Sequence, residues 1–266
     1  KRFKTVHYTI HSNKIKDARG IRFAVLADLH GMEFGLKQKA SGDDPPVQTG
    51  GILIAGDMIV RNDSASLKTA SSLLRSLAQQ YPVYYALGNH EYKLYRTDPQ
   101  ENCIAARYQE YEKELKTADH ILHNESCSLQ VGKTSLTVYG LEIPLIYYKK
   151  AIFSQLRREE VRELIGEPSS DSLNILLAHS PKYGETYFDW GADLILSGHY
   201  HGGIVRIGRH NGMLSPQLHP FPKFCCGDFH RKEQHMLVSA GAGEHTIPVR
   251  IHNPRELLMV DLKPNA

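Results

Sequence analysis

Five short blocks of this 266-residue sequence carry side chains able to hold a metal ion: Asp28-Leu29-His30, Gly56-Asp57, Gly88-Asn89-His90-Glu91, His179 and Gly198-His199-Tyr200-His201. Between them, Asp28, His30, Asp57, Asn89, His179, His199 and His201 offer two carboxylates, one amide oxygen and four imidazoles, with no thiolate. Hard oxygens mixed with imidazole nitrogens suit manganese, iron, zinc, cobalt or nickel better than calcium or magnesium alone. A lone Asp-x-His means little. The weight lies in where the blocks stand.

Each block closes an apolar run that reads as a buried strand: Ile21 to Ala27, Gly51 to Ala55, Val83 to Leu87, Leu173 to Ala178 and Ala192 to Leu196. In open α/β sheets ligands bind outside the carboxyl ends of the strands, so these five ends are expected to meet at one crevice. Residues two apart on an extended segment project to the same side, which predicts that the Asp-x-His and His-x-His pairs address one ion or two neighbouring ions. Gly56, Gly88 and Gly198 permit sharp turns just before the ligands.

Helix-like stretches with leucines and alanines at helical spacing lie between the runs, at Ser64 to Gln80, Glu101 to Ala118 and Phe153 to Ile165. This alternation predicts an α/β fold. Later strand candidates, Ser135 to Tyr139, Gly203 to Ile207, Met236 to Ala240 and Leu257 to Leu262, predict a further sheet layer. Asp43-Asp44-Pro45-Pro46 and Glu167-Pro168-Ser169-Ser170 read as surface loops. With no repeat, linker or low-complexity tract, residues 1–266 are expected to form one domain.

Lysine and arginine number 32 against 29 acidic residues, a nearly even mixture that gives no broad nucleic-acid-binding stripe. Cys103, Cys127, Cys225 and Cys226 are too few and too irregular for a disulfide framework, and the adjacent pair reads as free thiols in a surface loop. No run is long and apolar enough to span a membrane. The chain opens Lys1-Arg2-Phe3-Lys4 without a methionine, which fits loss of an N-terminal anchor. The expected location is therefore the cytoplasm or the membrane surface.

In order and spacing the five blocks resemble the signature of the calcineurin-like metallophosphoesterases, over roughly residues 20 to 262. Within that superfamily the chain looks most like the bacterial branch of membrane-associated phosphodiesterases of the YkuE and YaeI type. Gly202-Gly203 after the last histidine and Ile247-Pro248-Val249-Arg250 ahead of Asn253-Pro254-Arg255-Glu256 carry that likeness. The resemblance implies two facing mixed β-sheets flanked by helices and a centre of two divalent metal ions. It places Asp28, His30, Asp57 and His201 on one ion and Asp57, Asn89, His179 and His199 on the other, with Asp57 bridging. It makes His90 the catalytic acid or phosphate contact. The implied reaction is hydrolysis of a phosphoric ester, a phosphodiester or a lipid or sugar-nucleotide pyrophosphate, by metal-activated hydroxide. A nuclease, a cyclic-nucleotide phosphodiesterase or a non-catalytic scaffold with the same fold are the competing readings.

One position departs from the pattern. Many relatives carry a second aspartate three residues after the bridging one, able to orient the histidine, where this chain has Val60. Asp63 reads as a helix N-cap and not as its substitute. Arg61 is a candidate contact for substrate phosphate. Ile143 to Phe153 and His219 to Phe224 are either ordinary packing or an apolar lip beside the site.

Overall fold

The computed structural model describes residues 3–32, 47–115, 120–149, 154–203, 205–207, 211–212, 221–244 and 249–265. Its strands, in chain order, are β1 (Phe3–His11), β2 (Ile21–Leu26), β3 (Gln48–Ala55), β4 (Val83–Ala86), β5 (His120–Leu122), β6 (Ser126–Val131) and β7 (Thr134–Leu141). They continue with β8 (Leu173–Ala178), β9 (Leu194–Ser197), β10 (Arg206–Ile207), β11 (Asn211–Gly212), β12 (Gly227–Arg231), β13 (Gln234–Val238) and β14 (Arg255–Lys263). The α-helices are α1 (Ser64–Ala78), α2 (Asn89–Tyr95), α3 (Cys103–Leu115), α4 (Arg158–Ile165) and α5 (Gly184–Trp190).

The strands form two mixed six-stranded sheets, ordered β1-β14-β2-β3-β4-β5 and β12-β13-β9-β8-β7-β6. They face each other, and alternation along β2 and β8 shows why the runs are largely apolar. Ile21, Phe23 and Val25 of β2 enter the cluster between the sheets, together with Leu173, Ile175 and Leu177 of β8. The intervening Leu26 packs outward with α1 and α3, through Leu74, Tyr108 and Leu115. Leu176 and Ala178 pack outward with α4 and α5, through Val161, Tyr187 and Trp190. Strands covered on both faces need apolar residues at every position, which is the signal in the sequence. The result is the expected layering of helix, sheet, sheet and helix.

Local chemistry sets the helix starts. The Asp63 carboxylate accepts from the Ala65 amide at 2.9 Å, capping α1 as its sequence predicts. Asn102 Oδ1 accepts from Ile104 and Ala105 and starts α3 two residues later than Glu101. α4 begins at Arg158 and not Phe153, because Leu156 is buried ahead of it and Glu160 reaches back to the Arg157 amide at 3.0 Å. Among the described residues of the Gly203 to Ile207 strand candidate, Arg206–Ile207 form a strand, paired with β11. Cys225 and Cys226 are not surface thiols: both are buried and unbridged, entering β12 as small apolar groups. The Asp43 to Pro46 loop, His219, His245, Ile247 and Pro248 lie outside the described residues.

Candidate metal centre

β2, β3, β4, β8 and β9 all end at the same edge of the two-sheet core, and the loops leaving them are laced together. The Asp28 amide donates to Gly56 O (3.0 Å), His30 to Asp57 O (3.1 Å) and Gly31 to Met58 O (3.0 Å), so the β2 and β3 loops continue side by side beyond the sheet. Between the sheets, both oxygens of Asp28 accept from the His199 amide at 3.0 Å. His179 Nδ1 lies 2.7 Å from Ala55 O, a contact that only an Nδ1–H can make. That hydrogen occupies Nδ1 and leaves Nε2 facing inward.

The backbone here is not extended as the spacing argument assumed. Asp28 (φ 51°), His30 (49°), Asp57 (53°), His199 (67°) and His201 (49°) all occupy the left-handed region. The pairs converge because each loop coils, not because alternate residues of a strand share a side. Two glycines are required by close approach: a Cβ on Gly88 would stand 2.1 Å from Asp57 Oδ1, and one on Gly198 would stand 2.4 Å from Asp28 Oδ2.

Six of the seven candidate ligands fall into two clusters of His and Asp donors, Asp28-His30-His201 and Asp57-His179-His199, and the seventh, Asn89, is buried between Gly88 and His90, whose amide donates to Asp57. In the first, His30 Nε2 and His201 Nε2 stand 3.1 Å apart, with Asp28 Oδ1 3.4 Å from His201 Nε2 and 3.9 Å from His30 Nε2. In the second, Asp57 Oδ2 is 3.1 Å from His179 Nε2, and the same oxygen is 4.0 Å from His30 Nε2 in the first. Donors around one ion with bonds near 2.1 Å are separated by roughly 3 to 4 Å, so the spacing fits ligation. Asn89 Oδ1 is a buried acceptor without a hydrogen bond, which an ion at this position would satisfy.

The charges point the same way. Asp28 is fully buried, and burial, with the neighbouring Asp57 charge, pushes its carboxyl up to about 7 against the pull of His179. Burial alone would raise Asp57 too, but His179, His90 and His30 hold it well below the ordinary range. For His179 burial acts downward, yet Asp57 and Asp28 outweigh it and carry the ring up to about 10. Two buried carboxylates thus demand positive charge between them, which protons or cations supply.

His90, on the first turn of α2, sits beside this cluster, its ring edge-on to His30 at 5.1 Å. Its amide donates to Asp57 Oδ1 (2.9 Å), and its Nδ1 accepts from the Arg61 amide (3.0 Å). The group that orients His90 is therefore the Arg61 backbone, in the absence of a carboxylate at Val60. Burial lowers the His90 pKa, opposed by Asp57, so the neutral ring carries its hydrogen on Nε2. The Arg61 side chain is exposed and joins neither cluster.

Sequence reasoning assigned no role to Glu91, which is fully buried and holds the β3 loop. Its carboxylate accepts from the amides of Asp57 (3.1 Å), Met58 (2.6 Å), Ile59 (3.2 Å) and Gly88 (3.1 Å) and from the Tyr85 hydroxyl (2.8 Å). Its place three residues after Gly88 at a helix start was the signal available. Tyr148, in the short turn Leu145–Tyr148, stacks edge-on against His199 at 5.2 Å.

Two facing sheets with carboxylate and imidazole donors gathered at their shared strand ends make a site suited to metal ions. The family model for calcineurin-like phosphoesterases matches residues 21–203, and the chain belongs to that family. It is a metal-dependent phosphoesterase. It is similar to the uncharacterized protein YpbG of Bacillus subtilis, at 24% identity over 96% of this chain and 86% of that one. Metallophosphoesterase F40B5.2 of Caenorhabditis elegans is 28% identical over 79% of this chain, and the uncharacterized metallophosphoesterase Cj0846 of Campylobacter jejuni is 26% identical over 80%. The chain spans 41% and 50% of the length of those two relatives. A solved Staphylococcus aureus structure, described as a candidate 5′-nucleotidase in complex with α-ketoglutarate, shares the fold with a TM-score of 0.51 at 14% identity, over 84% of this chain and 49% of that one.

Proposed function

We propose that the chain is a two-metal phosphoric ester hydrolase. Asp28, His30, Asp57 and His201 hold one divalent ion; Asp57, Asn89, His179 and His199 hold the other. The observation that carries this reading is Asp57 Oδ2, which lies 3.1 Å from His179 Nε2 of one cluster and 4.0 Å from His30 Nε2 of the other. When bound, the ions lower the pKa of a shared water and neutralise phosphoryl oxygens.

The protein's own groups do the remaining work. Glu91 and the Gly88 turn fix Asp57 between the sites. The Arg61 amide orients His90, whose Nε2–H then donates to a phosphoryl or leaving-group oxygen. A scaffold without ion binding would have no use for the buried, unpaired Asn89 Oδ1, which favours the enzyme. Among substrates, a phosphodiester or a lipid or sugar-nucleotide pyrophosphate fits best. Ile146, two residues before Tyr148, is 45% exposed, and Val249 and Ile251, flanking Arg250, are 45% and 46% exposed, so apolar surface adjoins segments that reach the ligands. The same surface supports association with a membrane face.

The test is elemental analysis of protein purified with manganese, paired with hydrolysis of bis(p-nitrophenyl) phosphate and p-nitrophenyl phosphate. Two ions per chain and faster turnover of the diester are expected. Protein that takes up no transition metal and hydrolyses neither ester would overturn the reading.

A further inference from the structure

The family match ends at residue 203, yet two later segments, Ser239 to Gly243 and Arg250 to Glu256, close around one of the two donor clusters. After β13 the chain passes directly behind Asp28: the Ala242 amide donates to Ala27 O (3.0 Å) and the Gly243 amide to Asp28 O (2.7 Å). This loop is held by Arg250, whose Nη1 donates to Ala240 O and Nη2 to Gly243 O, each at 2.6 Å. The same Nη2 lies 3.2 Å from His201 Nδ1, so the guanidinium stands behind the ring; a ring that ligates through Nε2 carries its hydrogen on Nδ1, so Arg250 positions the site through the two loop carbonyls and not by a hydrogen bond to the imidazole. Glu256 anchors the loop from the other side, accepting from the Ala240 amide at 2.7 Å.

Asn253 completes the enclosure. It is 3% exposed, and its Nδ2 donates to His201 O (2.5 Å) and Gly203 O (2.7 Å), bracketing the strained turn that carries His201. Its Oδ1 would lie 2.6 Å from a Cβ on Gly202, so turn and asparagine are fitted to each other. The second cluster is supported elsewhere, by Ala55 O on His179 and by Glu91 behind Asp57.

We propose that Arg250 and Asn253 are positioning residues for the Asp28-His30-His201 ion site and set its metal affinity separately from that of the Asp57-Asn89-His179-His199 site. This rests on the two-ion reading above. Groups behind a metal ligand fix its orientation, and their loss lowers metal affinity by about 10- to 100-fold. The guanidinium charge acts in the opposite direction, since a cation near an ion site weakens ion binding. Charge and positioning can be separated: Arg250→Lys keeps the charge and loses the fork that spans two carbonyls, whereas Arg250→Gln loses both.

Metal-free protein is titrated with Mn²⁺ by calorimetry, and the bound ions are followed by electron paramagnetic resonance, which distinguishes an exchange-coupled pair from a single ion. Wild type is expected to bind two equivalents with a coupled spectrum. Arg250→Lys, Arg250→Gln and Asn253→Ala are each expected to keep one equivalent at wild-type affinity and to bind the other at least about tenfold more weakly, leaving an uncoupled spectrum at low Mn²⁺. The retained equivalent reports that each variant is folded. Unchanged Arg250→Lys with tighter binding in Arg250→Gln would mean a charge effect alone and overturn the proposal, as would equal weakening of both equivalents. Wild type that binds fewer than two ions would instead overturn the two-ion reading.

Discussion

At the scale of the residue, the informative group is His90. The Arg61 amide occupies its Nδ1 at 3.0 Å, a neutral donor where many relatives have a carboxylate. A carboxylate there would favour the imidazolium; an amide favours the neutral ring with Nε2–H. His90 is thus built to donate a hydrogen bond from a fixed position. Replacing it with asparagine should lower kcat by about 10²- to 10⁴-fold while metal content stays at the wild-type level, measured by turnover of a diester alongside elemental analysis. Unchanged turnover would remove His90 from the chemistry. Its block was legible because Gly-Asn-His-Glu is contiguous. Its orienting group was not, since a backbone amide leaves no mark in the identity of Arg61.

At the scale of the element, α3 is tied to the second sheet through a half-buried histidine. His123, in the turn between β5 and β6, has Nε2 2.6 Å from Glu112 of α3 and Nδ1 2.8 Å from Glu142 just after β7, the latter out of line for a hydrogen bond. Burial lowers its pKa, but the two glutamates outweigh that and carry it up to about 9. A folded value above the unfolded one, near 6.5, means that the charged ring stabilises the fold fully below about pH 6.5 and loses that contribution as pH rises through about 9. The ceiling for such a shift is roughly 3 kcal/mol. The stability gap between wild type and His123→Gln, measured by urea unfolding, should be widest at pH 6 and shrink toward pH 9.5; a constant gap would discount the ion pairs. Legibility at this scale followed burial. β8 was read at its observed bounds because both its faces are covered, whereas β1, an edge strand with only Val6, Tyr8 and Ile10 turned to the core, escaped notice among its polar alternates.

At the scale of the whole molecule, the candidate ligands come from both sheets: Asp28, His30, Asp57 and Asn89 follow strands of the first, and His179, His199 and His201 follow strands of the second. Bound ions would therefore join the two halves of the core, and any ligand of the native state alone adds RT ln(1 + [L]/Kd) to stability, about 2.7 kcal/mol at a hundredfold excess over Kd. Mn²⁺ should raise the melting temperature of chelator-treated protein in a concentration-dependent way, and Asp57→Asn should abolish most of that rise. A melting temperature indifferent to Mn²⁺ and to EDTA would deny that ions bridge the sheets. This convergence was readable from the sequence, since each block ends a strand. The coiled backbone that achieves it was not, because Asp and His adopt a positive φ more often than most side chains yet still only in a small minority of cases.

That coil sets ligation against backbone ease. Five of the ligand positions hold a conformation that glycine accepts freely and that other residues adopt at a penalty of order 1–3 kcal/mol. Drift toward glycine at Asp28, His30, Asp57, His199 or His201 would relax the fold while emptying the centre of donors. Donor side chains and an unstrained backbone are therefore alternatives at these five positions, and this chain carries the donors.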